Sequence, residues 1–221
     1  AIPVNASINP ADSFPLVGHM VSSSSRGPTH SFNSIKPDIG APGASVSTEA
    51  GTGTAESAFG GTSGAAPMVS GSAALLLDKN SSFSVRDVKT LLMSTAETNV
   101  FMNPSVSPNP LAPITRIGGG EVRVDKAVAS GTAAWEGGSN AASLSFGYHA
   151  LSDKETLHRT VKVKNFTSSS KLYTITPSFR YADDAASGAV EVDAPSSIRV
   201  PGGKTKSFEV KVRIDPSKLP V

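Results

Sequence analysis

The spacing of hydrophobic positions changes a little past the middle of the chain. Before residue 131, short apolar runs alternate with segments of helical spacing, and Pro, Gly and Asn residues separate them. The runs that we interpret as strands are residues 4–7, 19–22, 38–41, 46–48 and 122–124. Strands that alternate with helices predict an α/β domain with a parallel sheet, because neighbouring parallel strands need a crossover connection.

Two helices stand out in this first part. The apolar run within residues 70–79 predicts a helix that continues from residues 61–67, and residues 85–96 repeat apolar positions at helical spacing. Ser84, with Asp87 three residues later, predicts a capping box at the start of the second helix. We also expect Asp125 to cap a short helix over residues 126–130, and the Pro- and Asn-rich residues 100–113 to form a surface loop.

A period-two alternation replaces the helical spacing in the second part. Gly, Ser, Ala and Asn surround Trp135 in a stretch that indicates a linker, and a packing role is the default for this tryptophan. The strand-like segments are residues 143–146, 156–165, 172–178, 189–193, 196–200 and 206–214. They predict an antiparallel β-sandwich. The predicted domains are therefore residues 1–131 and 143–221, with residues 132–142 as the linker.

Composition and charge exclude several classes of protein. The chain has no cysteine, so it can hold neither disulfides nor thiolate zinc sites, and it contains no apolar run of membrane-spanning length. The net charge is −2 over residues 1–150 and +4 over residues 151–221. The lysines of the second part alternate with apolar residues, which favours the solvated face of a sheet over an anion-binding patch. No basic motif interleaved with aromatic residues supports nucleic-acid binding.

The segment Gly-Thr-Ser-Gly-Ala-Ala-Pro at residues 61–67 carries the candidate chemistry. It places Ser63 at the mouth of a helix, where free N–H groups and the positive end of the helix dipole can stabilise an oxyanion. We expect Pro67 to fall in the first turn, where the hydrogen bond that it omits would have gone to the Ser63 carbonyl. The alternative is that Ser63 only caps the helix.

This segment resembles the nucleophile signature of the subtilisin-like serine peptidases, with Gly64 in place of the usual Met and Met68 in place of the usual His. Other blocks are similar to the same family in the same order, namely Ser-Arg-Gly-Pro at residues 25–28, Lys-Pro-Asp-Ile-Gly-Ala-Pro-Gly at 36–43, and Gly-Gly-Gly-Glu-Val-Arg-Val at 118–124 with Lys-Ala-Val at 126–128. Residues 161–167 and 173–176 resemble the fibronectin-III-like domains that follow many large subtilases.

The resemblance implies a serine endopeptidase that acts on proteins or peptides through an acyl-enzyme. Ser63 would be the nucleophile and its backbone N–H would serve the oxyanion hole, with support from the Thr62 hydroxyl and from the loop residues Gly61, Gly64 and Pro67. The family's Asp, His and oxyanion Asn are expected in a missing N-terminal half, so the chain alone is expected to be inactive. Its own histidines match no family motif; they are His19, His30, His149 and His158.

Two other functions compete with catalysis. One is a non-catalytic binding module built from a peptidase-like half and a β-sandwich, and the other is a structural fragment that pairs with a separate chain carrying Asp and His. The resemblance implies a protein that is secreted or displayed at the cell surface. We expect no cofactor; subtilases often bind calcium, but no Asp- or Asn-rich loop here matches a calcium site. We also expect residues 1–130 to expose apolar surface that a partner segment covers.

Overall fold

The computed structural model describes residues 17–31, 34–102 and 109–219. Its helices are α1 (Thr62–Lys79), α2 (Val85–Ser94), α3 (Ile114–Ile117), α4 (Val124–Ala129) and α5 (Ala182–Ser187). Its strands are β1 (Ser45–Thr48), β2 (Glu56–Phe59), β3 (Thr132–Glu136), β4 (Glu155–Asn165), β5 (Lys171–Thr174), β6 (Val190–Asp193), β7 (Ser197–Val200) and β8 (Thr205–Ile214). The fold is mixed α/β, and within the described residues no helix is long and apolar enough to cross a membrane.

The predicted parallel sheet is reduced, in the described residues, to isolated bridges. His19 pairs in parallel with Phe101, and Gly40 with Glu121, whereas all the extended ladders are antiparallel. The predicted strands at residues 19–22 and 38–41 therefore make single-residue contacts, because each meets a described partner at only one position. The strand predicted at 46–48 is confirmed as β1, paired with β2, and residues 4–7 lie outside the described residues.

The helices follow the predicted spacing closely. α2 has the predicted capping box, in which the Asp87 N–H donates to Ser84 Oγ over 3.1 Å and the Ser84 N–H donates to Asp87. The prediction for α4 is wrong in two respects: residues 122–124 form no strand, and Arg123 rather than Asp125 is the N-cap. Asp125 instead lies in the first turn, where a negative charge still favours the helix dipole.

The predicted surface loop at residues 100–113 is wrong at its two ends, since Val100 and Ala112 are both buried. The Ala112 N–H donates to the Val100 carbonyl over 2.8 Å, which ties the ends together. Residues 103–108 of this stretch lie outside the described residues.

The second part of the chain is built on two antiparallel sheets. One has the strand order β3–β4–β8–β6, and the other contains β5 and β7. β4 and β8 pair continuously from Glu155 with Ile214 to Lys164 with Thr205. Within this region the strands predicted at 156–165, 189–193, 196–200 and 206–214 are confirmed, and that at 172–178 forms over its first half. The likeness to a fibronectin-III domain stays a prediction.

Three features of this part differ from the sequence predictions. Residues 132–136, inside the predicted linker, form β3, because they pair with β4 and bury Trp135. Residues 143–146 form no strand, and the Ser145 carbonyl accepts a hydrogen bond from Arg159 instead. α5 was not predicted. The division into domains at residues 131 and 143 stays a prediction.

A shared core joins the two parts of the chain. Buried side chains from α1, α2, α4 and the segment just before α4 pack with β3, and the core contains Leu76, Val88, Leu91, Leu92, Val122, Ala127, Ala133 and Trp135. Arg86 lies over the Trp135 ring at 4.3 Å, and Lys164 on β4 pairs with Asp87 over 3.3 Å. α1 and α2 are thus held in place by the β-sheet that follows them.

Candidate active site

The start of α1 positions the candidate nucleophile. Gly61 is the N-cap residue, with φ 77° and ψ −159°, and no side chain caps the helix. A positive φ of this kind favours glycine, which explains the glycine at this turn. Ser63 is the second residue of the helix, so the alternative in which Ser63 is merely the N-cap is wrong. Its side chain is exposed.

The backbone of the first turn leaves one donor for the site. The N–H groups of Gly64 and Ala65 both donate to the Gly61 carbonyl, over 3.0 and 3.2 Å. Within the described part of the chain, neither the Ser63 N–H nor its hydroxyl has a hydrogen-bond partner. A free N–H beside an exposed hydroxyl, at the positive end of an 18-residue helix, is an arrangement that can stabilise a developing oxyanion.

A glycine contact fixes this turn against the strand-and-turn motif at residues 36–43. A Cβ added to Gly64 would lie 2.3 Å from the Gly43 carbonyl oxygen, and one added to Gly43 would lie 2.5 Å from the Gly61 oxygen. Gly64 is buried by this contact. The two sequence motifs therefore meet backbone to backbone, and only glycine allows the approach.

Pro67 differs from its prediction. Because α1 begins at Thr62, Pro67 is the sixth helical residue and lies in the second turn rather than the first. Proline has no N–H, so the Ser63 carbonyl receives no intrahelical bond from this position. Ser70 and Ser72, in the following turns, instead donate their hydroxyl groups to the carbonyls of Ala66 and Met68.

The histidines of the described residues do not form a triad with Ser63 in any contact of this structure. His19 is held at both ring nitrogens, by the Val17 carbonyl at 2.9 Å and by the Asn109 amide at 2.7 Å. His149 contacts Glu155 over 3.0 Å, and His158 contacts Glu209 over 3.0 Å, both in the second part of the chain. His30 is exposed.

The Asp38 carboxylate, in the motif at residues 36–43, is occupied by two cations. Asp38 accepts from Lys36 at 2.5 Å and from Lys89 at 2.9 Å. Burial would raise the pKa of Asp38, but these two lysines outweigh it and lower that pKa below its ordinary value. Asp38 is thus a structural ion-pair partner. In the described ranges no group of three or more His, Asp or Glu side chains could hold a metal ion.

A cavity of about 500 Å³ lies beside the first turn of α1. Its wall includes Gly61, Thr62, Ala65 and Ala66, but not Ser63. Arg116, from α3, also contributes to the wall and is only 3% exposed. Burial, with the nearby cation of Arg26, lowers the pKa of Arg116.

Several residues that shape the site were not predicted individually. Gly43 belongs to the motif at residues 36–43, but that motif does not predict its backbone contact with Gly64. Arg116 carried no sequence signal, since its burial comes from packing. Arg180 was also missed: it donates to the carbonyls of Thr98, Val100 and Ala112, over 2.8, 3.2 and 2.8 Å. It thereby ties the second part of the chain to a segment whose residue Val100 lines the cavity.

Comparison with known proteins identifies the family. Residues 7–148 match the model of the subtilase family. The chain is 28% identical over 201 residues to the minor extracellular protease Vpr of Bacillus subtilis, covering 88% of this chain and 23% of that protein. It is 44% identical over 66 residues to bacillopeptidase F of the same organism, covering 30% of this chain and 5% of that protein. The chain thus spans about a quarter of the length of the first relative.

Proposed function

The chain belongs to the subtilase family of serine peptidases, and from this premise we propose that it supplies the nucleophile of a secreted, subtilisin-type endopeptidase. The substrate class is protein or peptide. The observation that supports this most directly is an exposed Ser63 that does not cap its helix and whose N–H is unoccupied in the described residues. A serine kept only for folding would be expected to use its hydroxyl in a cap or in the core.

In the proposed reaction, Ser63 Oγ attacks the scissile carbonyl while a histidine removes its proton. The Ser63 N–H donates to the resulting oxyanion, with the Thr62 hydroxyl as support. Collapse of this intermediate breaks the C–N bond, and the histidine returns the proton to the leaving amine. Water then attacks the acyl-enzyme by the reverse proton transfers, which releases the acid product and regenerates Ser63.

The histidine and its carboxylate come, in this proposal, from a polypeptide segment outside these 221 residues. His19 is a poor base for Ser63, because the Val17 carbonyl and the Asn109 amide already occupy its two nitrogens. The chain alone is therefore inactive. We use "complete peptidase" below for this chain together with the segment that carries His and Asp.

The other parts of the chain support the site. Gly61 and Gly64 give the turn its close approach to Gly43, and Pro67 leaves the Ser63 carbonyl without a helical donor. The second part of the chain is a fibronectin-III-like domain that braces α1 and α2. No cofactor is required for the chemistry. Secretion is proposed by analogy with a relative that is named an extracellular protease.

The test is labelling with a serine-directed fluorophosphonate probe. We expect the complete peptidase to be labelled at Ser63, the 221-residue chain alone to remain unlabelled, and Ser63→Ala to lower kcat by about 10⁶-fold. Ser70→Ala is the matched control, since Ser70 is exposed on the same helix and its hydroxyl donates to the Ala66 carbonyl. An unlabelled complete peptidase would refute the proposal and favour the non-catalytic binding module. Labelling of the chain alone would refute the external triad.

A further inference from the structure

A second cavity, of about 730 Å³, lies between the two parts of the chain. One wall is formed by Lys36, Asp38 and Lys89, from the motif at residues 36–43 and from α2. The opposite wall is formed by β4, by the turn that follows β3 and by one residue of β8. The volume lies within the range of about 300–1,000 Å³ that is typical of small-ligand sites. The wall contains none of the residues that the proposed reaction uses.

Two lysines on the first wall share one carboxylate. The Nζ atoms of Lys36 and Lys89 lie 2.5 and 2.9 Å from the same oxygen of Asp38, its Oδ2. Between 31% and 45% of each of these three side chains is exposed, so a ligand in the cavity can reach them. Because one carboxylate balances only one ammonium group, this wall keeps an excess of positive charge.

The opposite wall adds two cations from β4 that bind carbonyl groups. Lys162 Nζ donates to the Gly137 carbonyl over 3.3 Å, and among the described residues Lys162 contacts no carboxylate. Arg159 donates to the carbonyls of Ser145 and His158, over 3.1 and 2.9 Å. Lys162 is one of the alternating lysines whose pattern predicts a solvated sheet face, but the structure places it in the wall of a cavity.

The carboxylates of this opposite wall have partners of their own. Glu209 contacts Lys211 over 3.5 Å. Hydrogen bonds from Ser139, with the charge of Arg159, lower the pKa of Glu136 below its ordinary value. Neither carboxylate therefore neutralises the lysine on β4. The cavity has more positive than negative charge, which favours an anionic ligand.

Hydroxyl groups make up much of the rest of the cavity wall. They come from Ser34, Ser139, Ser143, Ser145 and Thr160. A hydroxyl group both donates and accepts hydrogen bonds, so it can pair with the hydroxyl groups of a sugar in either direction. The wall thus combines cations, which suit a carboxylate, with groups that suit a polyhydroxylated ring.

The backbone of the turn at residues 136–141 offers no donor to a peptide strand. Each of its N–H groups donates to an acceptor within the chain, such as the Ala141 carbonyl for Glu136 and the Thr160 carbonyl for Gly137. A peptide that binds as an added strand relies on main-chain hydrogen bonds. Recognition in this cavity therefore depends on side chains, which favours an acidic saccharide over an acidic peptide.

We propose that this cavity binds a saccharide made of uronic acids. Its carboxylates are held by Lys162 and by the pair of Lys36 and Lys89, and its ring hydroxyl groups by the hydroxyl and carboxylate side chains of the wall. A short free oligosaccharide and a longer acidic polysaccharide offer the same chemistry. The inference goes beyond the proposed function and does not rest on it, so its outcome is independent of labelling at Ser63.

The test is isothermal titration calorimetry of the 221-residue chain with trigalacturonate, because every residue of the cavity wall belongs to this chain. We expect saturable binding, and binding at least about tenfold weaker for the methyl ester of the same trisaccharide, whose carboxyl groups carry no charge. Lys162→Gln should weaken the binding of trigalacturonate by about tenfold, and Lys162→Arg, which keeps the charge, by less than about threefold.

Lys206→Gln is the matched control. Lys206 is an exposed lysine of β8 that pairs with Val163, so it lies on the other face of the sheet from Lys162. The substitution makes the same change in net charge and should alter the affinity by less than about twofold. Lys89→Gln, on the first wall, should weaken binding about as much as Lys162→Gln. It decides the test if far-UV circular dichroism shows that Lys162→Gln is misfolded.

Polygalacturonate separates the two sources of the ligand. Binding of trigalacturonate would show that a free oligosaccharide suffices, whereas binding of the polymer alone, with the same loss in Lys162→Gln, would indicate a polysaccharide. The inference is overturned if neither probe binds, if the methyl ester binds as tightly as the acid, or if Lys162→Gln and Lys206→Gln weaken binding equally. Tighter binding of poly-L-glutamate than of polygalacturonate would also overturn it and would assign the cavity to an acidic polypeptide.

Discussion

Residues 132–219 and residues 17–131 satisfy their polar backbone in different ways. In the former, β4 and β8 form one continuous antiparallel ladder, and β3 and β6 extend it on both sides. In the latter, the motif segments meet through single bridges at His19 and Gly40. Antiparallel strands complete their pairing within residues 132–219, whereas neighbouring parallel strands need a crossover connection and form only isolated bridges in the described residues of 17–131.

The buried polar groups show the same contrast. Asn165, the last residue of β4, is fully buried. Its amide group donates to two carbonyls and accepts from the Thr167 N–H. Arg116, in the helical region, is buried with its Nε unpaired in the described residues. Helix α1 also exposes Met68 and Leu75, at 51% and 54%. Exposed apolar side chains on a helix of this kind are consistent with a covering segment.

The largest expected effect breaks the contact between the two regions. Trp135 is 4% exposed and packs in the core formed with α1 and α2, so Trp135→Ala should destabilise the chain by about 3–5 kcal/mol. We expect urea unfolding followed by far-UV circular dichroism to separate into two transitions, with the helical region unfolding first. Val85→Ala, at an 86% exposed position on α2, is the control and should change stability by less than about 0.5 kcal/mol. A single unshifted transition for Trp135→Ala would show that β3 does not stabilise the helices.

A smaller effect tests whether the turn at Ser63 depends on its glycine contact. Gly64→Ala places a Cβ 2.3 Å from the Gly43 oxygen, and we expect a loss of about 2–3 kcal/mol, measured by urea denaturation. The matched substitution Gly71→Ala meets no atom within 4 Å on the same helix. It should stabilise the chain by up to about 1 kcal/mol through helix propensity. Equal effects of the two variants would mean that the contact with Gly43 does not hold the turn.

Elements that depend on residues a few positions apart follow directly from the sequence. The spacing of Val88, Leu91 and Leu92 predicted α2, and Ser84 with Asp87 predicted its capping box, because both depend on residues a few positions apart. The alternation in residues 206–214 predicted β8 for the same reason. The Gly-Thr-Ser motif at residues 61–63 likewise predicts the start of α1.

Features that depend on partners distant in the sequence cannot be predicted in this way. The small residues around Trp135 predict a linker, and only pairing with β4 makes residues 132–136 the strand β3. The burial of Arg116 and the three carbonyl contacts of Arg180 come from tertiary packing. Such packing produces no periodic pattern that could be recognised in the sequence. Pro67 fell one turn later than expected because the helix begins at Thr62.

The smallest expected effect concerns the ion pair between the regions, and it depends on pH. Burial would raise the pKa of Asp87, but hydrogen bonds from Ser84 and the charge of Lys164 outweigh it and lower that pKa. The folded state therefore favours the ionised carboxyl, so its stabilising contribution is full above the unfolded pKa near 4 and is lost as pH falls toward the folded value. Asp87→Asn should cost about 1–2 kcal/mol at pH 7, and this difference from wild type should shrink as the pH falls below about 4. Urea denaturation across that range measures it, with the exposed Asp78→Asn as the control for charge. A difference that stays constant with pH would mean that the charge of Asp87 does not contribute to stability. The ion pair with Lys164 would then not stabilise the contact between the two regions.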